Sequence, residues 1–365
     1  MRMKMNKFQN IVIQRSVATK NLGNIKWMLP RSFASLWMTL ICAFFTACST
    51  TKNLPEGEIL YTGIDKLEVV NEDKTLAGVT ALTEVEAALA YAPNNAILGS
   101  SSLRWPIPFG LWVYNGFEKY QDKKGVGRWI FDHLGKSPVL MSSVNGETRA
   151  KVAANLLRDY GYFNGSVSYQ EVPQKNPKEA KVSYVIDMAQ PYFLDSIAYL
   201  RYPHYADSLI RSTHSQSVLK SGENFSVLKL EEERQRLSSL FRNHGYYYYR
   251  PEFTTYRADT LQKPGYVSLQ VVPRNGVPTE ARKQYYIGKT SVYLTGYNDE
   301  LPTDTLRLRT MDIYYSGKKP GIRPSALMRN FFFRKGELFS QDRQALTQEA
   351  IARMGVFRYS EFRYE

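Results

Sequence analysis

The chain has 365 residues, 43% hydrophobic and 22% charged, proportions that suit roughly two to four globular domains and exclude a disordered or collagen-like chain. Its formal charge of +14 invites a nucleic-acid reading, but residues 1–31 hold Arg2, Lys4, Lys7, Arg15, Lys20, Lys26 and Arg31 with no acid, leaving +7 for the rest. Later bases alternate with acids, as in Glu231, Glu232, Glu233, Arg234 and Arg236, the pattern of a solvated mixed face and not of a groove that follows phosphates.

The basic start runs into an apolar stretch over 33–47, broken by Ser35, Thr39 and Thr46, and then into Cys48. This is the shape of a secretory signal, and its apolar core of about 15 residues falls short of the ~20 a spanning helix needs. Cleavage is therefore expected. The run Phe44-Phe45-Thr46-Ala47-Cys48 resembles a bacterial lipobox, which implies a lipid on Cys48 and a mature chain that begins there; the alternative is an ordinary signal with an unrelated cysteine. Cys42 lies in the removed segment, so the mature chain keeps one cysteine, with no disulfide and no cysteine cluster for zinc or redox chemistry. Starting translation at Met28 instead of Met1 leaves the same anchor. Residues 1–47 are read as the signal and 48–56 as a linker.

Three similar units are expected after the linker, over 57–190, 191–283 and 284–365. In the first, a short helix over 80–91 is followed by an insertion over 93–139 and a main helix ending in Tyr160-Gly161-Tyr162-Phe163. A strand alternating at Val182, Tyr184 and Ile186 closes the unit before Pro191. The second opens with Tyr192-Phe193-Leu194 through Ala198-Tyr199-Leu200, has a short helix over 205–219 and a main helix ending in His244-Gly245-Tyr246-Tyr247, and closes with Val267, Leu269 and Val271 before Pro273. The third opens with Tyr286-Ile287-Gly288 through Val292-Tyr293-Leu294, has a short helix over 324–333, and ends its main helix in Met354-Gly355-Val356-Phe357, with a strand expected over 357–364.

Nine, five and four residues before each glycine stand Val152, Leu156 and Leu157 in the first copy, and Leu346, Ala350 and Ile351 in the third; the second has Arg236, beside Leu237, then Leu240 and Phe241. This spacing predicts one apolar helical face. The glycine supplies the left-handed residue that ends the helix and turns the chain into a strand. The expected class is α+β, each unit running β-α-α-β-β, with two helices covering one face of a small mixed three-stranded sheet. Closing strands begin 20 residues after Gly161 and Gly245, which puts the third at about position 375. The reading frame is thus expected to continue through that strand into an even-numbered membrane barrel of ~10-residue strands.

This order, with a helix running into Gly-Tyr-Phe and the next strand, resembles the POTRA domain of the BamA/TamA outer-membrane family. The lipobox together with Asn53-Leu54-Pro55-Glu56-Gly57, Leu60-Tyr61-Thr62-Gly63 and Leu134-Gly135-Lys136-Ser137-Pro138-Val139 resembles its TamL-like lipoprotein branch in Bacteroidetes. The resemblance implies a lipid-anchored outer-membrane protein whose POTRA region faces the periplasm, without a cofactor. The expected partners are outer-membrane client proteins and a TamB-like periplasm-spanning protein, bound by pairing an incoming strand to a sheet edge. A free-standing periplasmic lipoprotein acting as an envelope scaffold is the alternative.

No enzymatic constellation stands out. His133, His204, His214 and His244 are scattered without a paired-ligand spacing, and Gly125-Val126-Gly127 lacks the third glycine of a dinucleotide loop. The run over 246–249 is four tyrosines, which could stack bases but fits a half-buried strand, two rings in and two out. Tyr247 and Tyr249 are candidate partner contacts on that strand. Trp105 and Trp112 are candidates within the insertion, which also carries Trp129 and Lys119, Lys123, Lys124 and Arg128. These aromatics either tether a long loop to its own unit or form an apolar patch for a partner or for the lipid interface.

Overall fold

The computed structural model describes residues 50–295 and 301–364. The signal segment and Cys48 lie outside the described residues.

The first unit consists of β1 (Leu60–Val70), α1 (Leu76–Leu89), α2 (Phe109–Phe117) and α3 (Val126–Leu134) of the insertion, a single turn Met141–Val144, α4 (Gly146–Asp159), β2 (Ser166–Pro173) and β3 (Glu179–Asp187). Its sheet order is β1-β3-β2, with β1 parallel and β2 antiparallel to the central β3. Period-2 alternation makes β3 the centre: Ala180, Val182, Tyr184 and Ile186 are all buried under α1 and α4. The hydroxyl of Thr75 starts α1 by accepting the Gly78 N–H, and Asn145 starts α4 by accepting that of Thr148.

The second unit repeats this plan with β4 (Phe193–Tyr199), α5 (His204–Ser212), α6 (Val227–Asn243), β5 (Thr254–Asp259) and β6 (Tyr266–Pro273), in the order β4-β6-β5. The third contains β7 (Thr290–Tyr293), β8 (Asp304–Arg307), β9 (Met311–Tyr315), α7 (Pro324–Arg329) and α8 (Gln341–Arg353). Its sheet, β7-β9-β8, is again mixed and three-stranded. Here the structure corrects the expected β-α-α-β-β order, because all three strands precede the helices. The hairpin β8–β9 supplies the sheet, and residues 357–364 form no strand. A backbone with no adjacent strand to pair with has nothing to hold it in a ladder.

The helix face also differs by one position from the expected one. Val152 and Leu346 are 48% and 50% exposed, whereas Ala153, Leu237 and Thr347, each eight residues before the glycine, are fully buried. With Leu157, Phe241 and Ile351 they form the stripe that meets the sheet.

Candidate functional site

The three glycines all have positive φ, +90° at Gly161, +96° at Gly245 and +66° at Gly355. The first two do more than end a helix. The Gly161 carbonyl accepts the N–H of Tyr192, the first residues of the next unit, and the Gly245 carbonyl accepts that of Tyr285. Two residues on, Phe163 packs its ring on Tyr192 and Phe225, while Tyr247 packs on Tyr285 and Phe339. The same four positions therefore build both joints between units. A Cβ on Gly161 would stand 2.6 Å from the Phe225 carbonyl oxygen, so this close approach needs glycine as much as the torsion does.

This joint fixes the tyrosine run differently from the expected strand. Residues 246–249 turn, with Tyr247 N–H bonded to Gly245 and Tyr249 N–H to Tyr246, and β5 begins only at Thr254. Tyr246 and Tyr249 are buried, both against Phe241. They also line a cavity of about 290 Å³ that Arg201, Arg274 and Arg282 share. Tyr249, expected to meet a partner, is thus a core residue whose hydroxyl bonds Thr254 and whose burial pushes its pKa up to about 12. Tyr247 belongs to the joint, beside Tyr248 and Tyr364.

The second unit also holds an ionic cluster that the sequence reading took for solvated charge. Glu233 is fully buried, accepting from the Tyr199 hydroxyl at 2.7 Å, the Val218 N–H at 3.2 Å and both Nε (2.9 Å) and Nη2 (2.6 Å) of Arg236. Burial pulls the Arg236 pKa down, but the Glu233 carboxylate outweighs it and the net shift is upward. Burial and Glu233 both push the Tyr199 hydroxyl up. The cluster ties β4 and the 217–219 segment to α6.

Sheet edges offer the clearest docking geometry. In a strand of L-residues, the face a side chain occupies fixes which edge its own N–H and C=O address. In the first unit the outward Val70 offers its carbonyl to Met188, on the β3 side; in the second the outward Leu200 N–H bonds Val271 of β6. The inward Leu194 points the other way, to Glu223. In the third unit it is Leu294, packed into the core, whose N–H bonds Tyr314 of β9. Hence β9 lies on the opposite edge of its opening strand from β3 and β6. The edge that receives a central strand in the first two units is addressed in the third by Ser291 and Tyr293, and among the described residues no strand pairs with it.

The insertion is a helical hairpin and not a loop. Asn94 closes its neck, bonding Ser137 and Val139, and Tyr114 of α2 packs on Phe131 of α3. Arg104 lies against Gly63 of β1, where a Cβ would come within 2.3 Å of its guanidinium; with φ +120°, Gly63 makes that room. Trp112 is half-buried in α2, whereas Trp105 and Trp129 are 62% and 55% exposed. The structure therefore brings Trp105 and Trp112 into one module and keeps Tyr247 and Tyr249 in another. His133 stacks on Trp129, and His244 Nδ1 meets the Leu240 carbonyl at a helix end.

No family model matches the chain, and no curated protein matches it. Among solved structures, it is similar to POTRA domains 3–5 of Haemophilus influenzae BamA, at 10% identity over 85% of this chain and 92% of that one, with a TM-score of 0.35. POTRA domains 1–3 of Omp85 from Anabaena match at 11% identity over 83% and 88%, with a TM-score of 0.26. The N-terminal domain of Omp85 from Thermosynechococcus elongatus matches at 13% identity over 84% and 90%, with a TM-score of 0.24. Superpositions this loose leave the weight on the strand order and joints described above.

Proposed function

We propose that the chain is the POTRA-like periplasmic region of an outer-membrane protein assembly factor, anchored through lipid on Cys48, which receives an extended segment of a client or of a TamB-like partner by strand addition. The observation that carries this reading is the edge of β7 that no described strand covers, an edge the chain's own closing strand, expected at about position 375, would also take, so that an incoming segment competes with it. The chain itself fills the corresponding edge twice with a parallel strand of its own, β3 beside β1 and β6 beside β4, so an incoming segment with the same period-2 apolar pattern would meet a geometry the fold already uses. Ser291 and Tyr293 supply the donors and acceptors, and Tyr293, 61% exposed and stacked on Tyr314, presents a flat outer face. The leader and the run before Cys48 support the localisation.

Proline scanning separates this edge from the fold. Ser291→Pro and Tyr293→Pro each delete an N–H aimed at the free edge, and each should weaken partner capture about fivefold, the worth of one hydrogen bond of ~1 kcal/mol. Val292→Pro deletes a donor inside the β7–β9 ladder and should destabilise the unit instead. A photo-crosslinker at Tyr293 should trap envelope proteins. Capture that is unaffected by either edge proline, with no crosslink at Tyr293, would sink the edge as the docking site.

A further inference from the structure

The insertion of the first unit has no counterpart in the other two, and nothing in strand addition calls for it. Every tryptophan after Cys48, namely Trp105, Trp112 and Trp129, lies within it. An exposed apolar set surrounds them: Leu98, Leu103, Phe109, Val126 and Leu134. None of the residues of α3 is buried, although Trp129, Leu134 and Val126 lie on that helix. Isolated exposed apolar side chains are ordinary, but so many on one 47-residue module mark a contact surface.

Two observations say what covers it. Residues 93–139 carry six basic and three acidic side chains, a net +3, and Lys119, Lys123 and Lys124 form no ion pair among the described residues. Tryptophans, exposed aliphatics and lysines outside any described ion pair, two of them over the Tyr120 ring, together suit the headgroup level of an anionic bilayer, where an amphipathic ring sits half in hydrocarbon and a basic side chain meets phosphate. The start of the described chain is also fastened to this module. Asn115 of α2 donates its amide to the Thr50 carbonyl and accepts at its own carbonyl from Asn53. Cys48 is two residues before Thr50 in the sequence.

We infer that the insertion is a membrane-docking module that lays Trp105, Trp129 and its lysines on an anionic lipid surface beside the anchor. It deepens the lipoprotein reading, since a lipid on Cys48 and the insertion would share one surface. The lipid holds the chain at the bilayer, and the insertion adds a second, protein-borne contact with it. It would also fix the orientation of the first unit to the membrane, which a flexible lipid alone leaves free.

The test uses residues 49–365, which contain every described element and lack both leader and lipid, so failure of the anchor reading cannot affect it. Because all of its tryptophans sit in the insertion, their emission reports this module alone. With phosphatidylglycerol vesicles the emission should shift to the blue and be quenched by brominated acyl chains, and the protein should float with the vesicles. Trp105→Ser with Trp129→Ser should lower partitioning at least tenfold, about 1.4 kcal/mol, at unchanged circular dichroism. Lys119→Ser, Lys123→Ser and Lys124→Ser together should reduce binding to phosphatidylglycerol while leaving the weaker binding to phosphatidylcholine as it was. Emission that ignores vesicles of both compositions overturns the inference, and so does flotation that the double tryptophan variant retains in full.

Discussion

Alanine at the three helix-ending glycines gives an internally controlled test of the joints. All three substitutions place a side chain at positive φ, which costs about 1–2 kcal/mol for an L-residue. At Gly355 the new Cβ meets nothing within 4 Å, so that torsional cost is the whole effect. At Gly161 the Cβ would stand 2.6 Å from the carbonyl oxygen of Phe225 and 3.3 Å from that of Tyr192. Backbone cannot rotate away as a side chain can, so the second unit must retreat by roughly 0.8 Å to regain ordinary contact. The bond from Tyr192 N–H to the Gly161 carbonyl, 2.9 Å long, is then stretched or lost, adding ~1 kcal/mol. Gly161→Ala should therefore cost about 2–3 kcal/mol, ~1 kcal/mol more than Gly355→Ala, and should change the angle between the first two units. Gly245→Ala should fall between them, because its nearest neighbour, at 2.7 Å, is the mobile Leu338 Cδ2. Denaturant unfolding gives the energies and spin-label distances across each joint give the geometry. Equal losses at Gly161 and Gly355 with unchanged distances would refute the account of the joint.

Glu233→Ala leaves Arg236 and the Val218 N–H without their buried partner and should destabilise the second unit by about 3–5 kcal/mol; adding Arg236→Ala should recover part of that loss, and an additive double variant in denaturant melts would show the pair to be uncoupled. At Asp73, burial raises the carboxyl pKa, but the Tyr162 hydroxyl at 2.6 Å and the Thr75 N–H at 2.9 Å outweigh it and the net shift is downward. A folded pKa below the unfolded one adds stability above the ordinary carboxylate range that is lost as pH falls through the folded value. The stability gap between wild type and Tyr162→Phe should accordingly narrow below about pH 4, and a gap constant with pH would contradict it. Cys48→Ala should abolish fatty-acid labelling and release the protein from the membrane fraction; equal labelling of the variant would remove the lipobox from the account.

What could be read from the sequence was what local chemistry decides. Gly161, Gly245 and Gly355 announced their turns because no other residue takes positive φ so cheaply, and Val182, Tyr184 and Ile186 announced β3 because a buried strand must alternate. The helix face was missed by one position because Ala153 is small and Thr347 polar at the true centre of the stripe. Thr347 is accommodated there by bonding the Phe332 N–H and the Arg343 carbonyl, which only the folded neighbours reveal. Four consecutive tyrosines carry strong strand propensity, yet the turn after Gly245 puts Tyr246 and Tyr249, three apart, on one side. The β8–β9 hairpin did leave a signal, the alternation Leu306-Arg307-Leu308-Arg309. Glu233 left none, since a buried acid among charged neighbours reads as one more solvated residue.

The free edge of β7 and the thin core of the third unit are one feature seen twice. The main core clusters of the first two units hold sixteen and twelve buried apolar residues, whereas that of the third holds three among the described residues, Met311, Ile313 and Leu327, with Ile287, Phe339 and Ile351 buried outside it. In the first two, the central strand contributes part of that larger core: Ala180, Val182, Tyr184 and Ile186 in one, Val267, Leu269 and Val271 in the other. Those side chains come from the strand position that stands open beside β7, so adding a strand there would supply hydrogen bonds and core together, at ~1.5–3 kcal/mol for each large side chain fully buried. The third unit should therefore open most easily. Amide exchange across α8 and β7 should be faster than across α4 and α6, which pack into larger buried clusters. A synthetic strand alternating as β6 does should slow exchange in the third unit and leave the first two unchanged. Protection in α8 equal to that in α4 before any strand is added would show that the third unit is complete as it stands, and the docking role of its edge would fall with that result.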